Sequence, residues 1–506
     1  MRIKNSLKNT ITSFVSLLVL AILGFIATKY FIKYLGIEYN GVNGTFTNII
    51  SILSITELGL GGAITYNLYK PILEKNYKKI SAIMYFYKKC YRIIGIVILI
   101  LSLVTSTFVQ IFLKDTTLPN SYIRILFILF ATNTTISYFF SFNRNLFYAY
   151  EKNYIVTLID FIIRIIKIIV QIIALMLFKN YIIYLIISIV FTFIANFLVH
   201  LLAKKYFPEV HYDVKERDKK VEHEVINYVK SYAIIQLLSV SINFTDSIII
   251  SSFINIVVAG LYVNYNLIFS QISKVITSFF HNIGASIGNL VAENNKDKIK
   301  TVFLNLQYLC FFISSFCITC FAFMTQPFIK IWIGSEYLLD NSILLILIFN
   351  FYSTIHRQPI NYFLTGNGMY KEMIKPMIVE SILNLVISIV LAIKIGLMGV
   401  FIGTAISTIF GWLLTSNLIN KKNGMSQKKY LIRQIAFLAY SVGLIIVLNI
   451  IFKIYLPSSL ILQLVYIFII CLVIPNIINV LILYKNTNIT YLKDLLNKLI
   501  KKISKK

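Results

Sequence analysis

Four polar residues interrupt the apolar run 154–178, and their types could bind or carry charge inside a membrane. Asp160, Arg164, Lys167 and Gln171 follow one another at i, i+4, i+7 and i+11, so they share one face of an α-helix. Each central charge costs about 2.5–3.5 kcal/mol to insert, so the stripe must face a partner or water. Asp160 and Arg164, one turn apart, can partly neutralise each other, which leaves Lys167 in surplus. The pattern indicates either a structural ion pair between helices or a positively charged, water-accessible cavity at membrane depth.

Other ionisable residues lie within or beside apolar runs. Buried arginine and lysine can hold a phosphate or pyrophosphate through charge-assisted hydrogen bonds, whereas carboxylates and histidine there can take up H⁺ or Na⁺. The candidate substrate-binding residues are Arg164, Lys167, Lys274, Arg357 and Lys29. The candidate coupling or pairing residues are Asp160, Glu57, Asp246, Glu380 and His281. Considered singly, a charged residue at such a position more often has a structural role or extends its charged end to the membrane–water interface.

Enzyme motifs are absent from the sequence. It contains no H-E-x-x-H, no Walker A loop and no G-x-S-x-G. We therefore predict that the chain is not an enzyme and has no metal site or cofactor beyond a coupling H⁺ or Na⁺. The C-x-x-C of Cys317 and Cys320 lies in an apolar run, where cysteines usually act as small buried hydrophobic residues.

The composition is that of a polytopic membrane protein. Of 506 residues, 58% are hydrophobic and 13% are charged. The predicted fold is all-α, with about fourteen transmembrane helices of at least about 20 residues each. They cover 10–34, 43–69, 93–113, 122–143, 154–178, 181–203, 231–254, 257–290, 302–325, 342–365, 374–394, 397–419, 434–455 and 460–484.

The distribution of basic residues predicts the orientation. With these spans and a cytoplasmic amino terminus, 36 of the 48 lysines and arginines fall on the cytoplasmic side and eight on the outer side. This follows the positive-inside rule and places both termini in the cytoplasm. A net charge of +28 would suggest nucleic acid for a soluble chain, but here topology explains it, so we expect no nucleic-acid partner.

Two halves of the chain repeat a pattern in the same orientation. Gly62-Ala63 followed by Asn67-Leu68 recurs as Gly284-Ala285 followed by Asn289-Leu290, and Glu74-x-Asn76 recurs as Glu293-x-Asn295. The copies are six spans apart, which predicts a parallel pseudo-two-fold repeat about the membrane normal. The predicted domains are an amino-terminal six-helix lobe (1–203), a cytoplasmic linker (204–230), a carboxy-terminal six-helix lobe (231–420), two additional helices (421–484) and a basic amphipathic cytoplasmic tail (485–506).

Glycines cluster at two places that could allow close helix packing or flexing. One cluster is Gly59, Gly61 and Gly62, beside Glu57, and the other is the G-x-x-x-G of Gly284 and Gly288. Close packing is the more common use of such residues.

Several local motifs near the amino terminus resemble bacterial polysaccharide flippases. They are Tyr34-Leu35-Gly36, Tyr39-Asn40-Gly41-Val42-Asn43-Gly44, Glu57-Leu58-Gly59-Leu60-Gly61 and Leu68-Tyr69-Lys70-Pro71. The chain thus resembles the Wzx-like members of the multidrug/oligosaccharidyl-lipid/polysaccharide exporter superfamily. The resemblance implies two six-helix lobes in a V, with spans one, two, seven and eight around a central cavity and span 154–178 as a wall of the first lobe.

The resemblance and the intramembrane cations together predict a flippase in the bacterial cytoplasmic membrane. Its expected cargo is an undecaprenyl-diphosphate-linked oligosaccharide, and its expected partners are the bilayer and other polysaccharide-assembly proteins. A cation-coupled multidrug antiporter of the same fold is the nearest alternative. A membrane-embedded glycan polymerase or glycosyltransferase is a second alternative, against which the short outer loops argue. A scaffold for other envelope enzymes is a third.

Overall fold

The computed structural model describes residues 2–54, 60–211 and 219–486, and this part of the chain is helical without β-strands. The first nine helices are α1 (Arg2–Leu35), α2 (Ile37–Leu53), α3 (Leu60–Leu73), α4 (Tyr77–Ser106), α5 (Asn120–Phe140), α6 (Arg144–Ala149), α7 (Asn153–Phe178), α8 (Tyr181–Tyr206) and α9 (Lys219–Asn243). The other nine are α10 (Asp246–Ile249), α11 (Ile256–Ala292), α12 (Lys296–Trp332), α13 (Asn341–His356), α14 (Gln358–Gly366), α15 (Tyr370–Ile395), α16 (Leu397–Lys422), α17 (Gln427–Ile454) and α18 (Leu460–Asn486). The all-α polytopic membrane fold predicted from the sequence is confirmed.

Within the described residues, eleven helices are long and apolar enough to cross a membrane. The pair Ala233–Asn243 and Asp246–Ile254, bent by 47°, makes twelve if it is counted as one span. Two of the fourteen predicted spans are not among these. The span 43–69 includes residues 55–59, which lie outside the described residues. The span 342–365 is divided at Arg357 into α13 and α14, and Pro359 in the first turn of α14 has no amide hydrogen with which to continue α13.

Helix packing divides the chain into two compact units. The first comprises Met1–Asn264 with Ala392–Val400, and the second comprises Tyr265–Leu391 with Phe401–Lys506. The predicted division into lobes at the linker 204–230 stays a prediction, since residues 212–218 lie outside the described residues. The predicted amphipathic tail 485–506 also lies outside them from residue 487 onward.

In the first unit, α7 packs against α1 and α8, and α5 packs against α4 and α8. A buried apolar cluster joins α3, α4 and α8 to the short helix α6, whose Leu146 and Phe147 are fully buried. This burial holds α6, and the arginine with which it begins, in a defined position.

In the second unit, the short helix α14 is held in the same way. Its Ile360, Phe363 and Leu364 are fully buried, and the Phe363 ring packs edge-on against Phe303 of α12. Helices α17 and α18 pack on α12, where Cys471 and partly buried Cys320 join an apolar cluster. The five cysteines are free thiols, of which Cys310 and Cys471 are buried and Cys90, Cys317 and Cys320 are partly buried.

The predicted internal repeat is visible in the backbone at the helix junctions. Asn76 and Asn295 cap α4 and α12, each accepting a hydrogen bond from the amide three residues on, at 3.0 Å. The residue before each cap, Lys75 and Asn294, has a positive φ of 51° and 52°. Non-glycine residues rarely adopt this conformation, so its recurrence at matching positions supports a duplicated helix plan.

The later junctions repeat as well. The turn before α7 has a positive φ at Glu151 (59°), and the turn before α15 has one at Gly368 (69°). The links from α7 to α8 and from α15 to α16 turn through Lys179 (49°) and Gly396 (66°). The two halves therefore share the sequence of turns from α4 to α8 and from α12 to α16.

Candidate functional site

The polar stripe lies along α7, a 26-residue helix that spans about 39 Å at 1.5 Å per residue. Arg164 and Lys167 are about 17 and 21 Å from its first residue, which places both near the middle of the helix. Gln171 is buried and donates to Ser188 Oγ (2.7 Å) and to the Tyr184 carbonyl (3.1 Å) of α8. The stripe therefore runs along the side of α7 that borders α8.

Asp160 is paired with a residue that the sequence did not single out. Its carboxylate accepts two hydrogen bonds from the Arg144 guanidinium of α6, at 2.6 and 2.9 Å, and Arg144 Nε donates to Asn196 Oδ1 of α8 at 3.0 Å. This first ion pair (Arg144–Asp160) corrects the expectation that Asp160 neutralises Arg164. A planar guanidinium from a neighbouring helix meets both carboxylate oxygens, which adds geometric specificity and energy.

Glu380 and Arg357, predicted separately as a pairing or coupling group and a substrate ligand, bind each other. The guanidinium donates to both carboxylate oxygens at 2.5 and 2.8 Å, and the Glu380 side chain is 1% exposed. Gly411 of α16 makes room for this second ion pair (Arg357–Glu380), because a Cβ there would lie 2.0 Å from Glu380 Oε2. The structure thus gives Glu380 the pairing role and gives Arg357 a carboxylate partner.

The two ion pairs occupy matching places in the repeat. Each arginine lies at the break before a short buried helix, α6 or α14, and each carboxylate lies on the following long helix, α7 or α15. Both therefore attach a short helix to a membrane-spanning helix within one unit. This is the structural interpretation of intramembrane charge, and it accounts for Asp160, Glu380 and Arg357.

Arg164 and Lys167 have no such partner among the residues that the structure describes. Arg164 is exposed and Lys167 is partly buried, and neither forms an ion pair with any residue in the described part of the chain. Two positive charges one turn apart near the middle of a spanning helix can attract an anion with at least two negative oxygens.

The remaining candidates are placed individually. Lys29 is exposed on α1, Lys274 and His281 are exposed on α11, and Asp246 is partly buried at the start of α10. Glu57 lies outside the described residues. Among the residues that the structure describes, no group of three histidine, cysteine, aspartate or glutamate side chains could hold a metal ion.

Two polar residues of consequence were not among the candidate site residues. Arg144 directly follows the predicted span 122–143, so the sequence placed it outside the membrane-spanning segments. His356, 1% exposed, links Ser314 Oγ (2.8 Å) and Gln434 Oε1 (2.9 Å) through its two ring nitrogens. This buried chain ties α13 to α12 and α17 beside the second ion pair.

The fold is similar to that of solved membrane transporters of the multidrug/oligosaccharidyl-lipid/polysaccharide exporter superfamily. No protein-family model matches the sequence, and no curated protein matches it. Among solved structures, the lipid II flippase MurJ in an inward closed conformation is similar over 96% of this chain and 99% of its own, at 16% identity and a TM-score of 0.65. An inward-facing multidrug resistance MATE family transporter is similar over 81% of this chain and 96% of its own, at 15% identity and a TM-score of 0.63.

A third similar structure is a superfamily transporter from Pyrococcus furiosus, described by the reverse polarity of its binding pocket. It covers 82% of this chain and 96% of its own, at 15% identity and a TM-score of 0.55. These likenesses show the fold, and they do not by themselves assign a cargo.

Proposed function

We propose that the chain is a flippase that moves an undecaprenyl-diphosphate-linked oligosaccharide across the bacterial cytoplasmic membrane by alternating access, coupled to an H⁺ or Na⁺ gradient, with both termini in the cytoplasm. The observation that carries this proposal is the pair Arg164 and Lys167. Asp160 is occupied by Arg144, so two cations near the middle of α7 are left for an outside anion. A diphosphate fits them, because each phosphate offers oxygens that accept charge-assisted hydrogen bonds.

The likeness to the lipid II flippase, which extends over 96% of this chain, supports a lipid-linked cargo. An oligosaccharide carried on a lipid diphosphate shares the anionic head of a lipid-linked precursor. In this proposal Arg164 and Lys167 hold the diphosphate with help from Lys274. Lys29 is a secondary candidate for binding the diphosphate. His281 is a secondary candidate for ion coupling, for which Asp246 and Glu57 are the remaining candidates.

Arg357 leaves the set of substrate ligands in this proposal. Its guanidinium already binds both oxygens of a buried carboxylate, and withdrawing it would leave Glu380 charged and unpaired. We assign it to the structure of the second unit.

The multidrug antiporter is the second candidate function, since several solved structures with this fold are multidrug transporters. A cationic drug requires an acidic site, however, and two of the four candidate carboxylates, Asp160 and Glu380, are neutralised by arginines. Altered resistance to cationic dyes on expression, without any change in glycan, would favour this alternative.

The proposal is tested with purified chain in proteoliposomes that contain a fluorescent undecaprenyl-diphosphate oligosaccharide. Arg164→Gln and Lys167→Gln should each lower the rate of flipping about tenfold or more, since a hydrogen bond to a charged group contributes about 1.5–3 kcal/mol. Arg92→Gln, an exposed arginine on α4, and Lys453→Gln, an exposed lysine on α17, are the matched controls and should flip at the unaltered rate. Unaltered flipping by Arg164→Gln, Lys167→Gln and Lys274→Gln alike would contradict the assignment.

A further inference from the structure

A groove of about 550 Å³ lies between α15 and α16, near the ends of these helices that the charge distribution places in the cytoplasm. Its lining is Lys371, Glu372, Lys375, Pro376, Val379, Leu414, Asn417 and Leu418. All eight residues belong to the second unit, and none belongs to the set assigned to the transported cargo. A volume of 300–1,000 Å³ is typical of sites for small ligands.

One end of the groove is strongly basic. Lys371 and Lys375 are exposed, and neither forms an ion pair with another described residue. Lys421 and Lys422 follow Asn417 and Leu418 by four residues, so they lie one helical turn beyond the groove on the same face. Against these four lysines the lining holds a single acid, Glu372.

The other end is apolar and continues along the helices toward the middle of the membrane. Val379 and Leu414 are each 39% exposed. Beyond them Ile382 and Val386 on α15, and Phe410 on α16, are 57%, 55% and 47% exposed. From Lys371 to Val379 the chain rises about 12 Å along the helix axis, so positive charge gives way to an apolar surface over the depth of one lipid headgroup region.

We propose that this groove binds a phospholipid with an anionic headgroup from the cytoplasmic leaflet. Lys371 and Lys375 hold the phosphate, Lys421 and Lys422 add to the positive field, and one acyl chain lies over Val379 and Leu414. Basic pockets between transmembrane helices on the cytoplasmic side are known to bind lipid headgroups of this charge. The positive end and the apolar end are arranged in the order in which a phospholipid in that leaflet presents its head and its tail.

The site also has a structural consequence. Pro376 and Val379 precede Glu380 by four residues and one residue on α15, and Leu414 follows Gly411 by one turn on α16, so the groove ends about one helical turn from the second ion pair along both helices. A bound lipid would bridge α15 and α16 next to that ion pair and stabilise the second unit.

The test is native mass spectrometry of the full chain in neutral detergent, with phosphatidylglycerol and phosphatidylcholine as probes. The wild-type chain should bind phosphatidylglycerol more tightly than phosphatidylcholine. The double variant Lys371→Gln/Lys375→Gln should raise the dissociation constant for phosphatidylglycerol about fivefold per lysine, which corresponds to about 1 kcal/mol for each. Val379→Trp, which fills the apolar end, should weaken binding of both lipids.

The matched control is Lys428→Gln/Lys429→Gln, two exposed lysines at the start of α17 outside the groove, and it should leave both dissociation constants unchanged. Protection of Lys371 and Lys375 from acetylation by phosphatidylglycerol, measured on the wild-type chain, keeps the test independent of variant folding. Equal affinity for the two lipids, equal weakening by the control, or protection by a polyprenyl diphosphate but not by phosphatidylglycerol would each overturn the proposal.

Discussion

At the residue scale, the second ion pair shows how a carboxylate can be almost fully buried in a membrane helix. Glu380 is 1% exposed and both of its oxygens accept from Arg357. Removing one member of such a pair leaves an uncompensated buried charge, which costs about 3–5 kcal/mol, whereas replacing both by apolar residues is often neutral or stabilising. The pair is therefore expected to act as a unit.

Glu380→Ala should lower the thermal unfolding temperature markedly, because Arg357 loses both of its acceptors. Arg357→Met combined with Glu380→Met should restore most of that loss. Thermal unfolding of the purified chain in detergent measures both, with Glu336→Ala at an exposed glutamate as the control. Equal instability of the single and double variants would contradict the interpretation.

Gly411 offers a second test of the same pair. Gly411→Ala places a Cβ within 2.0 Å of the Glu380 carboxylate, so the ion pair must shift or break, and overpacking of this kind typically costs about 1–3 kcal/mol. Gly443→Ala, on α17 with nothing within 4 Å of the added atom, should leave the unfolding temperature nearly unchanged. A Gly411→Ala chain as stable as Gly443→Ala would show that the pair tolerates displacement.

At the scale of elements, a tight helix crossing in the first unit joins α2 to the start of α11. A Cβ on Gly41 would lie 2.1 Å from the Ile256 carbonyl oxygen, and one on Gly260 would lie 2.3 Å from that of Ile37. Asn40 is buried beside this crossing and donates to Asn264 Oδ1 and the Gly260 carbonyl, both at 3.0 Å. Glycine lets two backbones meet here, and the amide satisfies polar groups that no water reaches.

Gly41→Ala should therefore separate α2 from α11 and reduce the amount of folded protein. The control is Gly24→Ala on α1, where nothing lies within 4 Å of the added atom and alanine favours the helix. Size-exclusion profiles of the two variants, recorded at equal expression, compare them directly. A Gly41→Ala profile that matches Gly24→Ala would rule out a tight crossing.

The glycines that the sequence singled out differ in how tightly they are packed. An atom added at Gly62 or Gly288 meets nothing within 4 Å, whereas at Gly61 it would lie 2.8 Å from Asn145 Nδ2 and at Gly284 it would lie 3.1 Å from the Tyr362 ring. A G-x-x-x-G spacing shows that glycines share a face, but whether a partner helix lies against that face depends on the packing of the whole bundle.

At the scale of the whole molecule, the predicted orientation follows from the uneven distribution of lysine and arginine. Moving the basic loops to the outer face would oppose the positive-inside rule at nearly every turn of the chain. The prediction is that Lys330 at the end of α12 faces outward and Lys428 at the start of α17 faces the cytoplasm.

Single cysteines at these two positions, in a chain whose five native cysteines are replaced by serine, test this prediction. An impermeant maleimide should label Lys330→Cys in intact cells and Lys428→Cys only after the membrane is permeabilised. The reverse pattern would invert the topology and would place the phospholipid groove in the outer leaflet.

Much of the fold could be predicted from the sequence because the relevant physics acts locally along the chain. An apolar run can span the membrane when its length matches the thickness of the bilayer. Basic loops stay on the cytoplasmic side because of their own charge, independently of the tertiary contacts that they make. The repeat was also readable, since Asn76 and Asn295 cap their helices through contacts three residues away. The sequence predicted the span 342–365 as one helix because its composition is predominantly apolar. The structure divides it at Arg357, after which α14 begins with Pro359 in its first turn.

The sequence by itself thus determined a polytopic all-helical chain, its duplicated plan and the residues whose charge needs explanation. Only the tertiary structure decided which charges are satisfied. Helical spacing made Arg164 the expected ion-pair partner of Asp160. In the structure Arg144, sixteen residues earlier and on another helix, donates hydrogen bonds to both carboxylate oxygens of Asp160. That choice depends on where α6 packs against α7 and α8. It leaves Arg164 and Lys167 without an ion-pair partner among the described residues.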